Sequence, residues 1–91
     1  MATYAVTITY GDTALRDKIR PIHREYLTSL FERNVLICAG PFADDSGAML
    51  VYEAESDTAL EAILSKDPYW VNTGCLSSVS IKEWNRVFAR A

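Results

Sequence analysis

The chain has 91 residues, 49% of them hydrophobic and 23% charged, with a formal net charge of −3. That length makes one domain, and the balance is that of a core-forming globular chain. The negative sign argues against nucleic acid or an anionic membrane as the main partner.

Residues 3 to 10 alternate: Tyr4, Val6, Ile8 and Tyr10 fall on one face and Thr3, Ala5, Thr7 and Thr9 on the other. Period two with β-branched and aromatic residues predicts a half-buried strand. Gly11-Asp12 ends it, and Asp12 or Thr13 can cap a short helical turn through Arg16 and Ile19. Pro21 breaks or restarts that turn, so the main helix is expected from about Pro21 to Arg33. In that phase His23 sits in the first turn, at the edge of an apolar stripe. Asn34 is a left-handed terminator.

Val35 to Ala39 is a short apolar run that predicts a buried strand ending at Gly40-Pro41. Asp44-Asp45-Ser46-Gly47 has hairpin-loop chemistry, and Ala48 to Glu53 follows as a strand. Ser56 or Asp57 caps a second helix with Leu60, Ile63 and Leu64 spaced to pack. Asp67-Pro68-Tyr69-Trp70 opens a helical turn that Gly74 stops, and Leu76 to Trp84 is the last strand. The order β-α-β-β-α-β predicts an α+β, ferredoxin-like protomer: a four-stranded antiparallel sheet with helices on one face. Residues 1–84 form the domain and residues 85–91 a C-terminal tail. The uncovered sheet face suits a second copy, which would give a homodimeric α/β barrel.

Cys38 and Cys75 stand alone, without a C-x-x-C pair or zinc-type spacing, and are expected as buried free thiols. With no secretory leader pattern and no membrane-length apolar run, a soluble cytoplasmic chain is expected. No nucleotide, flavin or metal motif is present, so no cofactor is expected.

His23 is the only histidine, and imidazole is the side chain best suited to move protons near neutral pH. Asp67 is a natural cap for the turn that Pro68 opens. The fold should also carry it back beside the first helix, where a carboxylate would hold the His23 ring as an acid–base pair. Arg16, Lys18, Arg20, Arg24 and Arg33 are five of the nine cationic residues; they read first as a solvated face, and otherwise as a positive pocket mouth near His23 that would draw an anionic or phenolate-like ligand.

The series Arg20-Pro21-x-His23, Leu27, Leu30, Ala39-Gly40-Pro41, Gly47, Glu53, Asp67-Pro68-Tyr69 and Gly74, closed by an apolar strand with Lys82 and Trp84, resembles the YciI-like family over nearly the whole chain. Glu83 departs from it, standing where the family often has a proline. The resemblance implies a dimeric α/β barrel related to muconolactone-isomerase-type domains, with His23 and Asp67 as the site. It also implies, as its sharpest activity, loss of HCl from a chlorinated hydroxyhydroquinone in chloroaromatic breakdown. For that chemistry Arg20, Phe42, Tyr69, Trp70 and one of the strand serines, Ser78 first, are the candidate contacts to a phenolic or quinol substrate. A muconolactone-type isomerase and a non-catalytic dimeric binding module are the alternatives.

Overall fold

A computed structural model describes residues 1–90. Four strands, β1 (Ala2–Tyr10), β2 (Leu36–Pro41), β3 (Gly47–Ala54) and β4 (Leu76–Glu83), form one antiparallel sheet in the order β2-β3-β1-β4. Helices α1 (Thr13–Glu32) and α2 (Asp57–Leu64) and the single turn α3 (Pro68–Val71) complete the chain. This is the expected ferredoxin-like protomer. The tail carries no regular structure as far as residue 90, and Ala91 lies outside the described residues.

The alternation in β1 and β3 builds the core. Tyr4, Val6 and Ile8 pair across to Tyr52, Leu50 and Ala48, so all six side chains share the helix side. Ile19 and Leu30 of α1 and Leu60 and Leu64 of α2 close over them. Truncating one of these fully buried aliphatics, such as Leu50 or Leu60, to Ala would cost about 2–5 kcal/mol. No helix covers the other face, which presents Ala5, Thr7, Met49, Val51 and Ser80.

The first helix differs from expectation. It runs unbroken from Thr13 to Glu32 with Pro21 inside it, capped by Asp12, whose carboxylate accepts the Leu15 N–H at 2.9 Å. Pro21 is exposed and forfeits only the bond to the Asp17 carbonyl, while Arg16, Ile19, His23 and Leu30 form one buried row across the proline. Burial of that row outweighs the lost bond. His23 therefore lies mid-helix, within the stripe, and Ile22, 54% exposed, turns outward. Asn34 ends the helix with φ 63°, and the Val35 N–H reaches the Leu30 carbonyl.

The run expected as a buried strand is an edge strand. Only Leu36 of β2 is buried, a bulge follows it, and Pro41 sits where the edge needs no further donor. Cys38 is consequently exposed, against the expectation of two buried thiols, while Cys75 is buried.

Two close approaches fix the corner that matters for the site. Gly11 N–H donates to the Cys75 carbonyl and Asp12 N–H to the Gly74 carbonyl, both at 2.8 Å. A Cβ on Gly11 would lie 2.4 Å from the Gly74 oxygen, and Gly74 itself has φ 105°. The start of α1 is thereby stitched to the segment just after α3, and α3 packs against α1.

Candidate active site

Asp67 is the N-cap of α3. Its backbone is extended, Pro68 takes the first helical position, and Oδ1 accepts the Tyr69 N–H at 2.9 Å. The same Oδ1 lies 2.7 Å from His23 Nδ1. Capping and partnership, which the sequence presents as alternatives, are both carried by one oxygen. Asp67 is 0% exposed and His23 7%.

A carboxylate oxygen can only accept, so Nδ1 carries the ring proton and donates it. Nε2 makes no hydrogen bond to another described residue, and the His23 side chain lines the cavity beside it. The Tyr69 ring stacks on the imidazole, with centroids 3.7 Å apart and planes 11° from parallel. Tyr10 meets Tyr69 edge-on at 6.4 Å. The guanidinium of Arg16 lies 4.2 Å above the Tyr10 ring. Burial alone would weaken the charge on Arg16, but Asp17 at 3.0 Å and Asp45 at 3.4 Å more than offset that and raise its pKa. Burial pushes the Tyr69 phenol up, and the neighbouring Arg20 guanidinium pulls back part of the shift, so the phenol stays neutral.

The cavity beside His23 has a volume of about 210 Å³. An engineered cavity of about 150 Å³ in another protein accepts benzene, so there is room for one substituted ring. Its walls are Tyr10, Leu27 and Tyr69, the β2 segment Ala39–Pro41, Ala48 and Leu50 of β3, and two cationic side chains, Arg20 and Arg24. Neither arginine has an acidic partner among the described residues, whereas Arg16 has two. The wall beside His23 is thus apolar with unneutralised positive charge, a setting that favours a ring carrying an ionised oxygen. No three His, Cys, Asp or Glu side chains among the described residues cluster as metal ligands.

Of the residues singled out in the sequence, His23, Asp67, Arg20 and Tyr69 come together. Phe42, Trp70 and Ser78 are not among the cavity walls. Phe42 is exposed in the β2–β3 connection. Trp70 is half-buried against the core from α3. Ser78 pairs with Thr9, whose neighbours Ile8 and Tyr10 face the helices, so Ser78 faces the open side of the sheet. Sequence reasoning passed over Tyr10 as a site residue and placed Arg24 only within the general positive charge near His23. Tyr10 ends the inward-facing series of β1, and Arg24 follows Arg20 at i+4 on the same helix face; both signals were present in the pattern.

A family model described as the YCII-related domain matches residues 2–85. No curated protein matches the chain. Among solved structures, the chain is similar to 5-chloro-2-hydroxyhydroquinone dehydrochlorinase (TftG) from Burkholderia phenoliruptrix AC1100, in complex with 2,5-dihydroxybenzoquinone. The two superpose with a TM-score of 0.77 at 20% identity, over 91% of this chain and 93% of that one. An antibiotic biosynthesis monooxygenase superposes with a TM-score of 0.60 at 12% identity, over 93% of this chain and 98% of that one. At these identities the superpositions establish the shared fold.

Proposed function

The chain belongs to the YCII-related domain family, and we propose that it is an acid–base enzyme acting on a small hydroxylated ring, most specifically a lyase that removes HCl from a chlorinated hydroxyhydroquinone. The observation that carries this reading is the buried His23 Nδ1–Asp67 Oδ1 contact of 2.7 Å at the wall of a ring-sized cavity. The similarity to a dehydrochlorinase structure supports the choice of substrate class.

In this reading His23 Nε2 takes a proton from a ring hydroxyl while Asp67 holds the imidazole in the right tautomer and stabilises the imidazolium. The electron pair freed from oxygen moves through the ring, and the chlorine-bearing carbon accepts a proton back from His23. The C–Cl bond then breaks with its pair leaving on chloride, and a second hydroxyl proton departs. The net change is loss of HCl: the ring leaves as a hydroxyquinone, its two-electron oxidation matched by reduction of the C–Cl carbon to C–H with release of chloride. Arg20 would stabilise the ring oxyanion, and Tyr69 would keep the imidazole plane fixed and offer the substrate an aromatic wall. The chain is proposed to work as a homodimer joined through the open sheet face. Equilibrium sedimentation at micromolar concentration checks this, and a monomer there removes it.

His23→Ala is expected to abolish chloride release from a chlorinated hydroxyhydroquinone, a loss of about 100-fold or more, with an unchanged far-ultraviolet circular dichroism spectrum. Full activity in that variant ends the proposal. Turnover of a muconolactone without chloride release would move the chain to the isomerase reading. Binding without any turnover would leave a ligand-binding module.

A further inference from the structure

Two buried polar side-chain atoms lack a protein partner among the described residues: the Tyr52 hydroxyl and Asp67 Oδ2. Both residues are 0% exposed. One atom is a donor and the other an acceptor. Left alone, each would bear the full penalty of lost hydration, and the penalty is heaviest for a carboxylate oxygen.

Both residues lie on the helix side of the sheet, beside α2. Tyr52 points from β3 to the helix side, where α2 packs on that strand, and Asp67 follows α2 by one short turn. The Tyr26 hydroxyl reaches the same place from α1, donating to the Ile63 carbonyl at 2.5 Å. Burial first, then the Asp67 carboxylate, then Tyr26 push the Tyr52 phenol far above its ordinary range. Tyr26 is raised by burial and then by Asp67. Asp67 bonds to His23 from α1 and to the Tyr69 N–H from α3, and its charge is felt by Tyr26 from α1, Tyr52 from β3 and Cys75 ahead of β4.

We propose that Tyr52 is a positioning residue, whose hydroxyl serves Asp67 Oδ2 across one buried water and so keeps the carboxylate ionised and aimed at His23. Oδ1 is already committed to the Tyr69 N–H and to His23. A bare Oδ2 in the core would favour the neutral acid, which no longer stabilises an imidazolium. Supplying Oδ2 with a donor removes that pressure without touching the substrate cavity. A bridging water needs at least two polar partners, and the two orphaned atoms supply them.

The inference rests on the reading of His23 and Asp67 as a working pair, but its test needs no turnover. His23 is the sole histidine, so nitrogen-15 labelling of histidine reports one ring. Tyr52→Phe keeps the ring and deletes only the hydroxyl. The His23 titration midpoint is expected to fall by about one pH unit, with the Nδ1–H tautomer less populated. In an Asp67→Asn background the same change should leave the midpoint where it is. A packing role alone would lower the melting temperature without moving the His23 midpoint, and that outcome overturns the proposal. Should Tyr52→Phe fail to fold, a crystal structure of the unaltered chain decides. One ordered water in hydrogen-bond range of both Tyr52 Oη and Asp67 Oδ2 supports the relay; no such water removes it. An active His23→Ala variant would defeat the proposed enzyme yet leave this measurement free to succeed.

Discussion

Asp12 and Asp67 do the same local job. Each precedes a helix with extended backbone, and one oxygen of each accepts a first-turn amide at 2.9 Å, from Leu15 and from Tyr69. Asp12 is exposed and makes no other side-chain hydrogen bond. Asp67 is sealed in the core, and its capping oxygen also accepts a hydrogen bond from His23 Nδ1. The same short-range chemistry therefore ends as a surface cap in one place and as half of a buried histidine–carboxylate pair in the other. What separates them is packing: the glycine-tight corner at Gly11 and Gly74 draws α3 against α1, and the second carboxylate is closed off from bulk solvent.

Replacing both aspartates in turn gives the widest expected gap. Asp67→Ala leaves the Tyr69 N–H and the His23 Nδ1–H unpaired in the core, which should cost about 3 kcal/mol of stability and at least about 100-fold in turnover. Asp12→Ala loses a surface cap, about 1 kcal/mol, and turnover should not change. Asn isolates the charge, because an amide oxygen still caps a helix. Asp67→Asn should fold with little loss yet drop kcat by about 100- to 10,000-fold, while Asp12→Asn should be silent in both. Denaturant melts and chloride release on the four variants check this. Equal kinetic effects at the two positions would mean that Asp67 is a cap and nothing more.

The contrast also explains what could be read in the sequence. Both caps, the alternating core of β1, the Asn34 stop and the β-α-β-β-α-β order were legible because each rests on neighbours a few residues apart. The continuity of α1 through Pro21 was not. A proline's local cost is visible in sequence, whereas the burial of Arg16, Ile19, His23 and Leu30 that overrides it depends on the sheet beneath. Cys38 was misjudged for a similar reason. An apolar run reads as buried, and nothing local in Val35–Ala39 says that its strand will lie at the edge. The order of elements allowed His23 and Asp67 to be paired and the resemblance favoured it, but with 44 positions between them nothing local showed that they touch. The orphaned Oδ2 and the Tyr52 hydroxyl had no sequence signal at all.

A smaller effect is expected in alkali, and it again falls on the buried side. Tyr52, Tyr26 and Tyr69 all have pKa values raised above the ordinary tyrosine value of 10.0, by burial first in each case. In the unfolded chain these phenols release protons near pH 10; in the folded chain they hold them. The unfolded state then binds fewer protons, so stability present below about pH 10 is lost as pH rises toward the folded values. Urea midpoints measured between about pH 8 and pH 11 should decline beyond about pH 10. The Asp67 charge contributes to the raised values of Tyr26 and Tyr52, so Asp67→Asn should flatten the decline and Asp12→Asn should leave it unaltered. A midpoint independent of pH in the unaltered chain would contradict the burial of these hydroxyls.

The least perturbing probe is the pair of thiols. Cys38 lies exposed on the edge strand, while Cys75 is buried where the β1–α1 corner meets the segment ahead of β4. Burial raises the Cys75 pKa, and the charges of Asp12 and then Asp67 raise it further, so little of its reactive thiolate forms. Brief iodoacetamide treatment near pH 8 should add one group, at Cys38, and leave chloride release intact, because Cys38 is not a wall of the cavity beside His23. Cys75 should react only after unfolding. Its protection in the native state depends on the same close packing of Gly11 against Gly74 that places Asp67 on His23. Gly11→Ala, which drives a Cβ into the Gly74 carbonyl, should therefore expose Cys75 to the reagent and weaken turnover together. Two adducts at equal rates on the unaltered folded chain would show that this corner opens readily, and the distinction between the exposed and the buried aspartate would lose its physical basis.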